Sequence, residues 1–258
     1  GASGSTAVFT LPIPGSGAPV TYSYSIEAGD NEWAEKMDYV LADEVKLSFA
    51  GGEAMMVSAS LTGRNGTPTN AVGSFNAIGS LVFVEEILAG AGSFWLTPAG
   101  SNWGTGAVTA GNILAGEITF KPTWTRKYSV DSGAIVFATA VFTGMEVSGE
   151  LTLENQISGT YGVAGSAGQR EKWRSETPQL LQAIWRGGAI AAGTTYTNKE
   201  LALRIPFKWE TMEPLDDQDG NDIVVGKFWS KFAEDSPLAG RGTVTIVRLG
   251  TSEFDGAN

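Results

Sequence analysis

The clearest alternation of apolar and polar side chains lies between residues 45 and 61. Apolar residues occupy every second position over 45–49 and again over 55–61, and the pair Gly51 and Gly52 separates the two runs. A period of two places the apolar side chains on one face of a strand, and a glycine pair permits a tight turn. The pattern therefore predicts a β-hairpin.

Similar short alternating runs recur along the rest of the chain, separated by Gly-, Pro- and Asn-containing turns. Together with the hairpin they predict about ten strands. The strand-helix-strand alternation that a parallel sheet needs is missing from the pattern. We therefore predict a mainly β fold, an antiparallel β-sandwich with long loops, whose further strands are 22–26, 81–85, 118–124, 135–139, 141–153, 201–209, 223–232 and 242–249.

One flanking α-helix is predicted at about residues 178–186. Thr177 would cap its N-terminus, Pro178 would occupy the first helical position and Gly187 would end it. A helix of two to three turns is too short to be stable alone, so it must pack on a sheet. Its apolar stripe would consist of Leu180, Leu181, Ile184 and Trp185.

The domain organisation follows from composition along the chain. Residues 1–21 are rich in Gly, Ser, Thr and Pro and predict an extended N-terminal arm. Residues 22–250 form the sandwich domain, and 251–258 a C-terminal tail. Within the domain, residues 87–116 contain no charged side chain but many small polar ones, which suggests an insertion that packs against another surface.

Two strands have polar faces that stand out. Over 141–154 the odd positions are mostly apolar, whereas the even positions place three glutamates in a row on one side of the strand. That face carries Glu146, Ser148, Glu150, Thr152 and Glu154. A second polar face, on the first strand of the hairpin, carries Glu44, Lys46 and Ser48.

The composition removes several classes of enzyme. The 258-residue chain has no histidine and no cysteine, so it lacks an imidazole base, a thiolate nucleophile, a disulfide and a Cys/His zinc site. The acidic turn around Gly220 lacks two ligands of a calcium loop, and residues 220–227 have the wrong glycine spacing for a phosphate-binding loop. We therefore expect no catalytic residue, no cofactor and no bound metal.

The charge argues against tight nucleic-acid binding. The formal net charge is −11, and two segments concentrate it: 27–44 has seven acids and one base, and 210–222 has six acids and no base. Affinity for DNA comes largely from Lys and Arg, whereas an acidic surface lets a polyanion pass without binding. The chain also has no run of 18 apolar residues, so we expect no membrane span.

Four segments resemble the major tail tube proteins of long-tailed, siphovirus-type bacteriophages. They are residues 39–64, 147–154, 177–185 and 203–222, and in this order the likeness covers most of residues 22–250. The resemblance is one of pattern and local sequence. It implies a β-sandwich with a flanking helix, assembled into hexameric rings whose inner strands form a continuous barrel and which stack into a hollow tube.

The resemblance also implies a role and partners. The protein would be a structural virion protein of the phage tail, made in the bacterial host cytoplasm, and not an enzyme. Its partners would be further copies of itself, a tape measure protein and tail terminator or tip proteins, and genomic DNA would pass through without specific binding. The two polar strand faces are the candidates for the lumen, although an ordinary solvated sheet surface would show the same alternation.

Two other interpretations stay open at this point. Eight tryptophans could line the groove of a carbohydrate- or receptor-binding β-sandwich, but core packing would explain most of them equally well. A glycoside hydrolase would need two acids that converge from distant segments. Glu146 and Glu150 would lie about 13 Å apart along one strand, too far for such a pair.

Overall fold

The computed structural model describes most of the chain between residues 5 and 250. The described ranges are 5–12, 23–29, 34–69, 88–104, 113–128, 137–154, 168–190, 197–213, 216–218, 221–230, 236–238 and 241–250. The predicted strand 81–85 and the predicted C-terminal tail 251–258 lie outside them. So do residue 22 of the predicted strand 22–26, residues 135–136 of 135–139 and residues 231–232 of 223–232.

The described residues form twelve strands and one short α-helix. The strands are β1 (Ser5–Pro12), β2 (Tyr24–Gly29), β3 (Ala34–Ala50), β4 (Met56–Thr69), β5 (Gly92–Pro98), β6 (Ile113–Tyr128), β7 (Phe137–Glu154), β8 (Gln179–Ala189), β9 (Asn198–Met212), β10 (Asp216–Gln218), β11 (Asn221–Trp229) and β12 (Thr243–Gly250). The helix α1 spans Gln169–Arg174, and a 3-10 turn spans Ala89–Ala91. The hairpin predicted from residues 45–61 is confirmed as β3 and β4, with Leu47 opposite Val57.

The strands form two antiparallel sheets that share β9. The first sheet has the order β1-β12-β9-β8-β5. The second has the order β4-β3-β6-β7-β11-β9, with β2 beside the first part of β3 and β10 beside β11. Strand β9 belongs to both because residues 198–207 pair with β8 and residues 208–212 pair with β11. The predicted mainly β, antiparallel fold is confirmed.

The core lies between the two sheets and contains two groups of aromatic rings. Phe49 of β3, Phe94 of β5 and Trp185 of β8 stand with ring centroids 5.3 Å apart. Phe207 and Trp209 of β9 pack around Phe228 of β11. Edge-to-face packing of this kind adds to the burial of large apolar surfaces. Trp185 and Trp209 are therefore core residues, and both are almost completely buried.

The predicted helix over residues 178–186 is wrong, because this segment is strand β8 between β5 and β9. Leu181 and Trp185 face the core between the sheets, and Leu180 and Ile184 are buried on the other side of the strand. A strand that is buried on both faces shows no two-residue alternation, so its apolar positions also fit helical spacing. Hydrogen-bonded pairing with β5 and β9 makes this segment a strand. The described α-helix, α1, lies earlier in the chain.

Two segments assigned to an arm and to an insertion contain strands of the first sheet. Strand β1, within residues 1–21, pairs with β12 along its whole length. Within residues 87–116, β5 pairs with β8 and buries Phe94 and Leu96. This position explains part of the uncharged stretch, because charged side chains would be desolvated there without partners.

Candidate functional site

One face of the second sheet is polar over β3, β6 and β7 and extends to Lys227 on β11, and we call it the polar face. Its central row contains Ser48 of β3, Glu117 of β6, Glu150 of β7 and Lys227 of β11, each directly opposite the next. Residues that lie opposite each other in antiparallel strands share a face of the sheet. The other side of these strands contributes to the core, so the polar face is the outward side.

The structure brings both predicted sets of polar residues onto this one face. Strand β6 lies between β3 and β7, and Thr119 stands opposite both Lys46 and Ser148. The sequence pattern predicts the polar side of each strand separately. Whether the two polar sides form one surface depends on the order of the strands in the sheet. The predicted residues on the polar face are Glu146, Ser148, Glu150, Thr152 and Glu154 on β7, and Glu44, Lys46 and Ser48 on β3.

Lysines on neighbouring strands reduce the negative charge of this surface. Lys46 Nζ lies 2.5 Å from Glu117 Oε2, and Lys227 Nζ lies 3.6 Å from Glu150 Oε2. The four side chains are between 38 % and 49 % exposed, so each pair contributes at most about 1 kcal/mol to stability. Their effect is mainly on the surface potential, since each lysine stands beside a glutamate.

Three charged residues of the polar face were not predicted from the sequence: Glu117 and Lys121 on β6 and Lys227 on β11. The alternation of Glu117, Thr119 and Lys121 along β6 is the signal that would have found the first two. Counting both the predicted and the missed residues, the face has five glutamates and three lysines on β3, β6, β7 and β11. It is therefore weakly acidic.

One end of the second sheet is strand β4, which among the described residues pairs only with β3. Its two faces carry unusually exposed apolar side chains: Met56 is 65 %, Val57 61 % and Leu61 42 % exposed. Residues 54–63 contain neither a charge nor a proline. Monomeric proteins usually protect an edge strand with lysines, prolines or a covering element. Residues 54–63 contain no lysine or proline, and no described strand pairs with the outer edge of 56–63.

The opposite end of the second sheet is the last part of β9, where helix α1 covers the strand. Trp173 Nε1 of α1 donates to the carbonyl oxygen of Glu210 at 3.1 Å, and Trp209 Nε1 donates to Gln169 Oε1 at 3.0 Å. Burial lowers the pKa of Lys172, which lies on the same helix. A cleft of about 400 Å³ lies between α1 with its following turn and this part of β9. We call it the α1 cleft.

A cluster of side chains around Arg126 joins strands β3, β6 and β7. Arg126 forms an ion pair with Asp43, and its guanidinium lies 5.8 Å from the centre of the Phe137 ring. The Phe137 ring also packs edge to face on Tyr39. Nearby, hydrogen bonds from Ser25 and Lys36 lower the pKa of Asp38. These contacts link β3, β6 and β7 through side chains as well as through the strand pairing.

Within the described ranges, no three acidic side chains converge into a group that could hold a metal ion. None of the helices in those ranges has the length and hydrophobicity of a membrane span.

Comparisons with known proteins find distant likeness among solved structures only. No family model and no curated protein matches the chain. Among solved structures, the SPP1 tail tube, determined by solid-state NMR and cryo-EM, is similar to 64 % of this chain and 81 % of its own chain, with a TM-score of 0.35 and 11 % sequence identity. Likeness at this level does not assign a function.

Proposed function

We propose that the protein is the repeating structural subunit of a bacteriophage tail tube and that it acts by assembly, without a catalytic step. Copies close into hexameric rings through the edges of the second sheet, and the rings stack into a hollow tube. The polar face lines the channel through which genomic DNA passes. The protein then resides in the tail of the virion, where its neighbours include a tape measure protein and terminator or tip proteins.

The observation that carries this proposal is the combination of the polar face with the uncharged edge of β4, where no described strand pairs beyond β3. A sheet that exposes one polar surface and ends in an uncharged, apolar edge gains by pairing that edge with another copy. Closing the sheets into a ring removes the free edges and turns one face inward. The sequence resemblance to tail tube proteins independently supports the same arrangement.

The charge of the polar face fits the passage of DNA. Tight binding of DNA needs lysines and arginines that replace the counterions of the phosphates. On the polar face Lys46 and Lys227 each stand beside a glutamate, and acids outnumber bases. A lumen of this kind has little attraction for a polyanion, so the DNA slides without being held.

Electron microscopy of the purified protein is the direct test of the assembly. At high protein concentration we expect negative-stain images of stacked rings with a central channel. Native mass spectrometry of the smallest assemblies should show multiples of six copies. A protein that stays monomeric at every concentration and salt condition would refute the proposal.

The position of the polar face can be tested by chemical labelling, because the chain has no natural cysteine. We expect Ser148→Cys to react with a bulky maleimide-polyethylene glycol in the monomer but to be protected in the assembled tube. Ile246→Cys on β12, a residue that is 40 % exposed on the other sheet, should react in both states. Equal labelling of Ser148→Cys in monomer and tube would place the polar face outside.

A further inference from the structure

The side chains that line the α1 cleft suit an extended chain segment, which offers apolar side chains together with polar backbone groups. Trp173 and Trp229 contribute aromatic surface, and Arg174, Glu176, Lys208 and Glu210 surround it with charges of both signs. Aromatic walls with a charged rim are typical of recognition surfaces that bury an apolar side chain. The described residues provide no side chain of this chain that fills the cleft.

The strand beside the cleft has an edge that helix α1 contacts but that pairs with no second described strand. Residues 208–212 of β9 pair with β11, and no other described strand pairs with them. Trp209 and Thr211 stand opposite the neighbouring residues Phe228 and Lys227, so Glu210 between them is the extra residue of a β-bulge. A bulge frees backbone groups from the ladder, and the Glu210 carbonyl uses this freedom to accept the bond from Trp173.

The two ends of the second sheet are therefore unlike each other. The β4 end is uncharged over 54–63 and exposes Met56, Val57 and Leu61. The β9 end is charged, and aromatic side chains line it. Contacts between unlike surfaces of identical copies are head-to-tail, and such contacts generate rings when the rotation closes.

We propose that the α1 cleft is the docking site for the β4 edge of a second copy of this chain, with an apolar side chain from the 56–61 segment seated against Trp173 and Trp229. This docking rests on the proposed function and names the two surfaces that meet. The absence of charge over 54–63 favours this occupant, because no charged group of β4 has to lose its water on entering. Methionine, which is flexible, fits an irregular aromatic cleft well.

Disulfide trapping between copies tests the docking, and the cysteine-free chain provides a clean background. One protein carries Met56→Cys and another carries Glu210→Cys, so that a link between these two positions can form only between copies. Met56 and Glu210 are both exposed, which makes misfolding a minor risk. Val57→Cys, on the opposite face of β4, is a second donor position if the first variant fails to fold.

Under mild oxidation of the mixed, assembled proteins we expect a cross-linked dimer at a yield at least about tenfold above a control pair, since a disulfide forms only when the Cα atoms approach within about 7 Å. The control combines Glu210→Cys with Tyr128→Cys, because Tyr128 at the far end of β6 is 66 % exposed, like Met56 at 65 %. A protein with both Met56→Cys and Glu210→Cys should give a ladder of linked copies.

The outcomes separate this inference from the function on which it rests. Tubes in micrographs without the specific cross-link would refute the docking and leave the tube intact. A specific cross-link without rings or tubes would support the docking and refute the tube. If the monomer instead binds an oligosaccharide on a glycan array, and Trp173→Ala removes that binding without affecting assembly, the cleft is a sugar site and the docking is wrong.

Discussion

Replacing Val57 by aspartate is expected to stop ring formation and leave the protein monomeric. Val57 is 61 % exposed on the outer strand β4, at an edge with no strand partner among the described residues. If this edge pairs with another copy, the new carboxylate has to lose its water as it enters the contact, which costs several kcal/mol per contact. Because each ring contains the contact repeatedly, the penalty multiplies. Size-exclusion chromatography with light scattering measures the loss directly.

The monomer itself should tolerate this change. A surface substitution of this kind alters the free energy of unfolding by about 0.5 kcal/mol or somewhat more on a strand, and circular dichroism would confirm that the fold is kept. The matched control is Val141→Asp on β7, where the valine is 47 % exposed, and we expect rings to form normally. Rings from Val57→Asp at wild-type concentration would show that β4 is not an assembly edge.

The strands with one buried face could be predicted from the sequence. Over the second half of β3 and of β7, each strand has one side in or near the core and one side in solvent, so the period of two is visible. Strand β4 shows the same alternation in sequence, although residues 56–61 are exposed on both faces. Lys46 and Glu150 could be assigned to polar sides for that reason. Their common surface could not be predicted, because it depends on β6 lying between β3 and β7.

Strand β8 shows the limit of the same reasoning. Both of its faces are buried, so apolar residues occur at 180, 181, 184 and 185 without alternation, and the local sequence fits a helix as well as a strand. Thr177 and Pro178 strengthened the helical interpretation, but they end the turn after α1. The α1 cleft could not be predicted from the sequence either, because only the tertiary fold brings Trp173 and Glu210 together.

Replacing Gly149 by valine is expected to lower the free energy of unfolding by about 3 kcal/mol or more, the upper range for overpacking a core. Gly149 lies in the middle of β7 under the Phe228 ring, and a Cβ atom there would come within 2.5 Å of both that ring and the Glu117 carbonyl oxygen. The ring packs against Phe207 and Trp209, so it cannot move without opening the core. Chemical denaturation of the monomer measures the change.

The same strand provides the control for this prediction. At Gly144 a Cβ atom would meet nothing within 4 Å, and a β-branched side chain suits a strand, so Gly144→Val should leave stability unchanged or raise it slightly. The contrast separates a clash with Phe228 from any general effect of replacing a strand glycine. If both variants lose equal stability, glycine is needed in β7 for backbone reasons, and the tight contact between β7 and Phe228 is not what limits the side chain at position 149.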